Sequence, residues 1–236
     1  MPTQSLKSTV IDVETERKMT TAERSTPYNR VAGTNVERIA ALSDALFAIA
    51  LTLIVLDIRV PMHGGVATEY GLVTAVGGLA PRLLTYLLSF MALGIFWVGQ
   101  QTHLNHLRRA DRHLTWFHLA FLATIAVMPF STGLLAEFIT FRTALLIYWL
   151  NIFASGIVSF AAVRYAFRAG LVKEGAGEDA FKALERRLVA GQMLYALGAA
   201  LCVINTYWSI GFIVLVQLYF AVAPRLTHAK RVRPKL

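Results

Sequence analysis

The sequence predicts an all-α integral membrane protein with six transmembrane helices, and three observations lead there. Of its 236 residues, 56% are hydrophobic and only 16% are charged, a balance too apolar for an ordinary soluble domain. The apolar residues fall in blocks of about 20, long enough to cross roughly 30 Å of hydrocarbon at 1.5 Å per residue. The basic residues fall between the blocks, and they favour alternate gaps.

The first block, Arg38 to Asp57, organises the rest. Thr34-Asn35-Val36-Glu37 reads as a capping box, which starts a helix at Asn35. The helix can run to Ile58, before Arg59 and Pro61. That is about 24 residues, or roughly 36 Å, enough to span with some tilt. At about 100° per residue, Arg38, Leu42, Ala45, Ile49, Thr52, Leu53 and Leu56 share one stripe, and Asp44 lies about 140° from Ile49. The stripe and the carboxylate therefore face different ways, and Asp44 is expected to point into its own helix bundle.

The later elements follow in order. Residues 59–80 are Gly-rich, with a short interfacial helix expected over Tyr70–Leu79. Pro81 opens a second span to about Thr102. Asn105–His113 is a basic loop. A third span covers Leu114–Phe138, where Pro129 is expected to kink the helix or end its regular part. After a tight turn at Ile139–Arg142, a fourth span covers Thr143–Phe167. Residues 168–183 read as a loop. A fifth span runs Leu184–Ile204, and a sixth runs from a turn at Asn205-Thr206 to Val222, where Pro224 is expected to stop it. Residues 1–33 are polar, Ser/Thr-rich and without an early apolar core. They read as a disordered cytosolic tail with no cleavable leader. Residues 225–236 read as a basic cytosolic tail, and 34–224 as one membrane domain. Of the 23 Lys and Arg residues, all but Arg59, Arg82 and Arg142 lie on the side that carries both termini. That bias puts both termini in the cytosol, and it accounts for the formal net charge of +9 without nucleic acid.

Asp44 with Arg38 and Ser43 is the sharpest feature. A carboxylate within a span needs partners. Arg38 and Asp44 are six apart and do not pair along the helix. At the same depth the second span offers Trp97, Gln100, Gln101, His103 and Asn105, whose side chains supply donors. Ile49, Leu53 and Leu56 recur at i, i+4 and i+7. Periodicity alone makes that stripe ordinary lipid-facing or core packing. Only if several copies met on an axis would it line a pore with apolar constrictions, and Thr52 would then be its one hydroxyl.

Enzyme chemistry is not expected. The sequence has no phosphate loop, no Ser/His/Asp arrangement and no HExxH. His103, His106, His113 and His118 have spacings that put them on different faces, so no metal site is expected. Cys202 is the single cysteine. There is no Thr-Val-Gly-Tyr-Gly filter, and the two halves do not read as inverted repeats.

Arg38-x-x-x-Leu42-Ser43-Asp44 and the apolar run after it resemble the first-helix signature of the transmembrane protein 175 family. These are the endolysosomal potassium channels and their bacterial relatives. The likeness continues in Phe96-Trp97-Val98-Gly99-Gln100-Gln101, Arg109-Ala110-Asp111-Arg112, Leu114-Thr115-Trp116-Phe117-His118 and Met128-Pro129-Phe130-Ser131-Thr132, and it covers residues 34–224. Leu42 stands where the family has Phe. Gln100 and Gln101 stand where bacterial members have a His pair.

The resemblance implies a homotetramer with four first helices lining a central pore, so that 34–224 is a six-helix channel domain. It implies a potassium-favouring cation channel of the plasma membrane, with the potassium ion as the permeant species and no cofactor. By position after Ser43-Asp44, the constrictions map to Ile49, Leu53 and Leu56, and Thr52 is the pore-facing polar residue. Arg38, Ser43, Asp44, Trp97, Gln100 and Gln101 form the polar network that anchors the helix. The implied partners are further copies of the chain, the lipid bilayer and monovalent cations. The alternative is a secondary transporter with Asp44 as a proton- or cation-coupling carboxylate.

Overall fold

The computed structural model describes residues 35–61, 67–173 and 178–229. The expected tail 1–33 and residues 230–236 of the expected basic tail lie outside them. The described residues form helices α1 (Val36–Leu53), α2 (Glu69–Gly77), α3 (Ala80–Asn105), α4 (Arg112–Glu137), α5 (Arg142–Arg168), α6 (Glu178–Ala200) and α7 (Thr206–Ala229). The segments Val36–Asp57, α3, α4 and α5 are each long and apolar enough to cross a membrane. Helix α7 contributes a shorter apolar stretch, Thr206–Ala221.

Local chemistry accounts for the boundaries. Asn35 caps α1 by accepting from the Arg38 amide at 3.1 Å. The helix does not run evenly to Ile58: after Leu53 it tightens into a 3-10 turn, Ile54–Asp57. Thr68 caps α2, accepting from the Gly71 amide at 3.1 Å. Helix α2 buries none of its residues, as an interfacial helix would. Pro81 sits in the first turn of α3, where its missing N–H has no intrahelical partner to lose. Asp111 caps α4 through the Leu114 amide at 2.7 Å. Helix α5 ends on Gly170 at φ +63. The Gly170 amide donates to the Phe167 carbonyl and the Leu171 amide to the Ala166 carbonyl, a Schellman closure that needs a left-handed residue. Residues 178–183 belong to α6 rather than to a loop.

Neither interior proline ends its helix. Helix α7 continues through Pro224 to Ala229, and α4 is continuous through Pro129. In α4 the repair is visible. Asn151 of α5, with its amide turned to satisfy its neighbours, donates to the Thr124 carbonyl (3.0 Å). It accepts from the Met128 amide (3.2 Å) and the Ser131 hydroxyl (3.1 Å). Thr124 and Met128 are the i and i+4 groups that a regular ladder would join directly. A side-chain amide from the next helix has entered the turn before the proline.

The core lies between these helices. Phe47, Ala50 and Ile54 of the first segment pack with Leu88, Leu93, Phe121, Ile125, Leu145 and Ile152. Hydroxyls stitch the α3–α4–α5 seam. Thr132 donates to the Met128 carbonyl (2.8 Å) and lies 2.7 Å from the Ser89 hydroxyl, which is 3.3 Å from the Tyr148 hydroxyl. Such bonds suit a bundle that has little hydrophobic drive between helices in lipid. On the side expected to be cytosolic, the Arg108 amide donates to the Leu171 carbonyl and the Lys173 amide to the His106 carbonyl, both at 2.9 Å. This one-rung bridge ties the α3–α4 connection to the residues after α5.

Replacing Asn151 with Ala removes both sides of the α4 repair. The expected cost is about 1–3 kcal/mol for the polar groups left unmatched, read as a lower melting temperature of the detergent-purified protein. A variant that melts with the wild type would show that α4 closes its own ladder.

Candidate functional site

Helix α1 buries one narrow stripe, Ile39, Ser43, Phe47 and Ala50, continued by Ile54 in the 3-10 turn. These recur every three or four residues and so share a face. Val36, Ala40, Leu46 and Leu51 are half-buried beside it, and the other positions are exposed. Ile49 is 58% exposed, Leu53 44% and Leu56 69%. Leu42, Ala45, Thr52 and Val55 are exposed as well. An unbroken apolar face of this kind must be covered by lipid or by another protein surface.

Thr52 lies inside that face. Its hydroxyl donates to the carbonyls of Ala48 (3.0 Å) and Ile49 (2.9 Å) of its own helix. The hydrogen is thus committed to the backbone, and the outward chemistry of Thr52 is that of an acceptor oxygen.

The polar end of α1 is organised by α3. Asp44 Oδ1 accepts from Trp97 Nε1 at 2.8 Å and from Gln101 Nε2 at 2.5 Å. Trp97 and Gln101 are one turn apart, so one face of α3 presents both donors. Both bonds count as exposed on the isolated chain. Asp44 therefore sits on the flank between α1 and α3 and not inside the bundle. Ser43, one residue earlier, is fully buried and donates to the Ile39 carbonyl at 2.8 Å. Arg38 is exposed, and its side chain meets no partner among the described residues. Gln100 is buried and makes no bond to Asp44, and its Nε2 has no partner among the described residues.

Two arrangements were not read from the sequence. The first fixes the opposite end of α1. Arg82 of α3 donates to the Asp57 carbonyl at 2.9 Å and to Glu137 of α4 at 2.6 Å. Gly133 of α4 leaves room for the Asp57 carboxylate, since a Cβ there would stand 2.9 Å from both of its oxygens. Isolated charges between spans hint at such a clamp, but their partners are far apart in the chain. The second is the stacking of His103 on His118, with ring centroids 5.4 Å apart. Both rings are buried, and the Nε2 of each has no partner among the described residues. Among the described residues, no three His, Cys, Asp or Glu side chains gather as a metal site.

Fold and site define a multi-pass helical membrane protein whose first segment is pinned at both ends and bare along one apolar face. Comparison with known proteins gives the family. The family model described as "Endosomal/lysosomal potassium channel TMEM175" matches residues 38–129. A protein of Chamaesiphon minutus named as a potassium channel is 33% identical over 78% of this chain and 93% of its own length. One of Streptomyces collinus, also named as a potassium channel, is 31% identical over 78% of this chain and 90% of its own length. A crystal structure of a lysosomal potassium-selective channel TMEM175 homolog from Chamaesiphon minutus superposes with a TM-score of 0.71. It shares 30% identity and covers 80% of this chain and 97% of that one. The chain belongs to the TMEM175 family.

The Asp44 contacts carry a prediction. Replacing Trp97 with Phe and Gln101 with Leu together removes both donors to Asp44. The expected cost is about 1 kcal/mol, because the exposed carboxylate loses two bonds but stays open to other donors. Adding Asp44→Asn to that pair is expected to recover part of the loss in a thermal melt. A triple variant no more stable than the double would show that the charge was not what the two donors served.

Proposed function

We propose that this chain is a potassium-favouring cation channel whose pore is lined by the first segments of four copies. The observation that carries the reading is the bare face of that segment. Ile49, Thr52, Leu53 and Leu56 stay exposed while Phe47, Ala50 and Ile54 of the same segment are buried. The relatives named as potassium channels and the potassium-selective homolog support the choice of ion.

Six spans with both termini cytosolic, in the plasma membrane, complete the proposal. Helices α6 and α7 supply the fifth and sixth spans, and residues 34–224 form the channel domain. Ile49 forms the narrowest ring, with Leu53 and Leu56 extending the apolar neck outward, and no cofactor takes part. A small rotation or tilt of the four helices widens the neck so that water and ions pass. Potassium is favoured because its hydration shell is cheaper to strip than that of sodium. The Thr52 oxygen, already oriented by its bonds to the backbone, offers the passing cation a lone pair.

Arg38, Ser43, Asp44, Trp97, Gln100 and Gln101 serve as the anchor of the pore helix. Asp44 meets Trp97 and Gln101 directly, and Ser43 fixes the buried side. Arg38, exposed and without such a partner among the described residues, is assigned to contacts between copies, and the buried Gln100 to the interior of the bundle. A secondary transporter coupled through Asp44 is not favoured. The relatives are named channels, and Asp44 Oδ1 accepts from two donors of the neighbouring helix.

The test is electrical. Purified protein in a planar bilayer, with potassium on one side and sodium on the other, is expected to pass a steady, non-saturating current that reverses toward the potassium potential. Ile49→Asn is expected to raise conductance and loosen selectivity, while Asp44→Ala is expected chiefly to impair assembly. Unchanged currents in Ile49→Asn would move the constriction elsewhere. Gradient-driven uptake into liposomes without steady current would instead put Asp44 at the centre of a transport cycle.

A further inference from the structure

Helices α3, α6 and α7 enclose a groove away from α1. Ile95, Phe96, Leu188, Gly191, Tyr195 and Phe220 line it, and it holds about 520 Å³ including its open mouth. Gly191 keeps one wall low. A Cβ there would only touch the Phe220 ring, at 3.6 Å, so helix packing does not demand the glycine, and its missing side chain leaves width in the groove.

The depth of the groove follows from its neighbours. Leu184, at one end, also lines a small cavity with His103 and His106, in the last turn of α3 and just beyond it. This end is therefore level with the helix ends on the proposed cytosolic side. Tyr195 lies two turns beyond Arg187, so the groove runs inward by roughly 12 Å from that residue.

Arg187 stands at the mouth, exposed. Its guanidinium lies 5.8 Å from the centroid of the Phe220 ring, over the groove's own wall. It also reaches the Phe220 carbonyl at 3.5 Å. That carbonyl lacks its helical donor because the residue four places on is Pro224. A guanidinium has five N–H groups, and this long contact uses one. Arg82 and Arg164 meet Glu137 and Glu185, but no carboxylate pairs with Arg187 among the described residues. The result is an oriented cation, with donors to spare, at the entrance of an apolar trough.

We propose that this groove holds an acyl chain of an anionic phospholipid from the cytosolic leaflet, with its phosphate on Arg187. The apolar walls match the chain, and an Arg fork matches phosphate geometry. Anionic headgroups are the lipids that a cytosolic-side cation attracts. The inference rests on the proposed orientation in the membrane but not on potassium conduction.

The test uses the full-length protein, purified in detergent and equilibrated with equal amounts of phosphatidylglycerol and phosphatidylcholine. Retained lipid is read by native mass spectrometry. The wild type is expected to keep phosphatidylglycerol preferentially. Arg187→Gln is expected to cut that preference about fivefold, the effect of one basic residue near a headgroup. Gly191→Leu, which fills the trough, is expected to abolish retention of both lipids while size-exclusion profile and melting temperature stay those of a folded protein. Equal retention of the two lipids, or an unaltered preference in Arg187→Gln, would overturn the proposal. So would dissociation of the oligomer by Gly191→Leu, since a second copy would then cover the groove. The readout needs no current, so its outcome is independent of the conduction test.

Discussion

Helix α1 is gripped at its two ends by polar contacts, and along its length by one stripe of side chains. At one end Trp97 and Gln101 hold Asp44. At the other, Arg82 binds the last carbonyl of the 3-10 turn while also engaging Glu137. Along its length only Ile39, Ser43, Phe47, Ala50 and Ile54 are buried. In lipid, apolar side chains gain little by leaving the solvent, so directional bonds decide how such a helix sits. The polar grips set the rotation of α1, and that rotation decides which residues are left bare.

The rest of the bundle supports this arrangement. Helix α3 supplies Trp97, Gln101 and Arg82, so a single helix carries both grips. Its own position depends on the hydroxyls that join Ser89, Thr132 and Tyr148 across α3, α4 and α5. The Asn151 amide bonds to α4 in the turn before Pro129, and α4 runs on to Glu137, which meets Arg82. Losses in this interior network would therefore be felt at α1, although none of these residues touches the exposed face.

Much of this was legible before any coordinates. A helix start within a residue of Asn35, Pro81 in the first turn of its helix, a short helix around Tyr70–Leu79 and four strongly apolar segments all follow from local rules. Residue spacing alone separated Ile49, Leu53 and Leu56 from Asp44. Trp97 and Gln101 could be offered as partners of Asp44 because charge asymmetry placed them at one depth. Gln100 could not be told from Gln101, since adjacent positions differ only by which neighbour they face. The sequence also left open whether Pro129 kinks its helix or ends its regular part. Pro129 breaks a local rule, and its compensation comes from Asn151 on another helix, 22 residues later in the chain.

The sequence by itself determined the class of protein, four segments apolar and long enough to cross a membrane, the stripe of α1 and the family signature. Each of these depends on hydropathy, period and short-range capping, which a chain carries in its own order. Only the tertiary structure decided that Asp44 lies on the flank of the bundle, that Arg82 closes the far end, that His103 stacks on His118 and that Arg187 stands over the Phe220 ring. Those are meetings between residues on different helices. Their geometry is set by how helices rotate and slide against one another, and no local period records it.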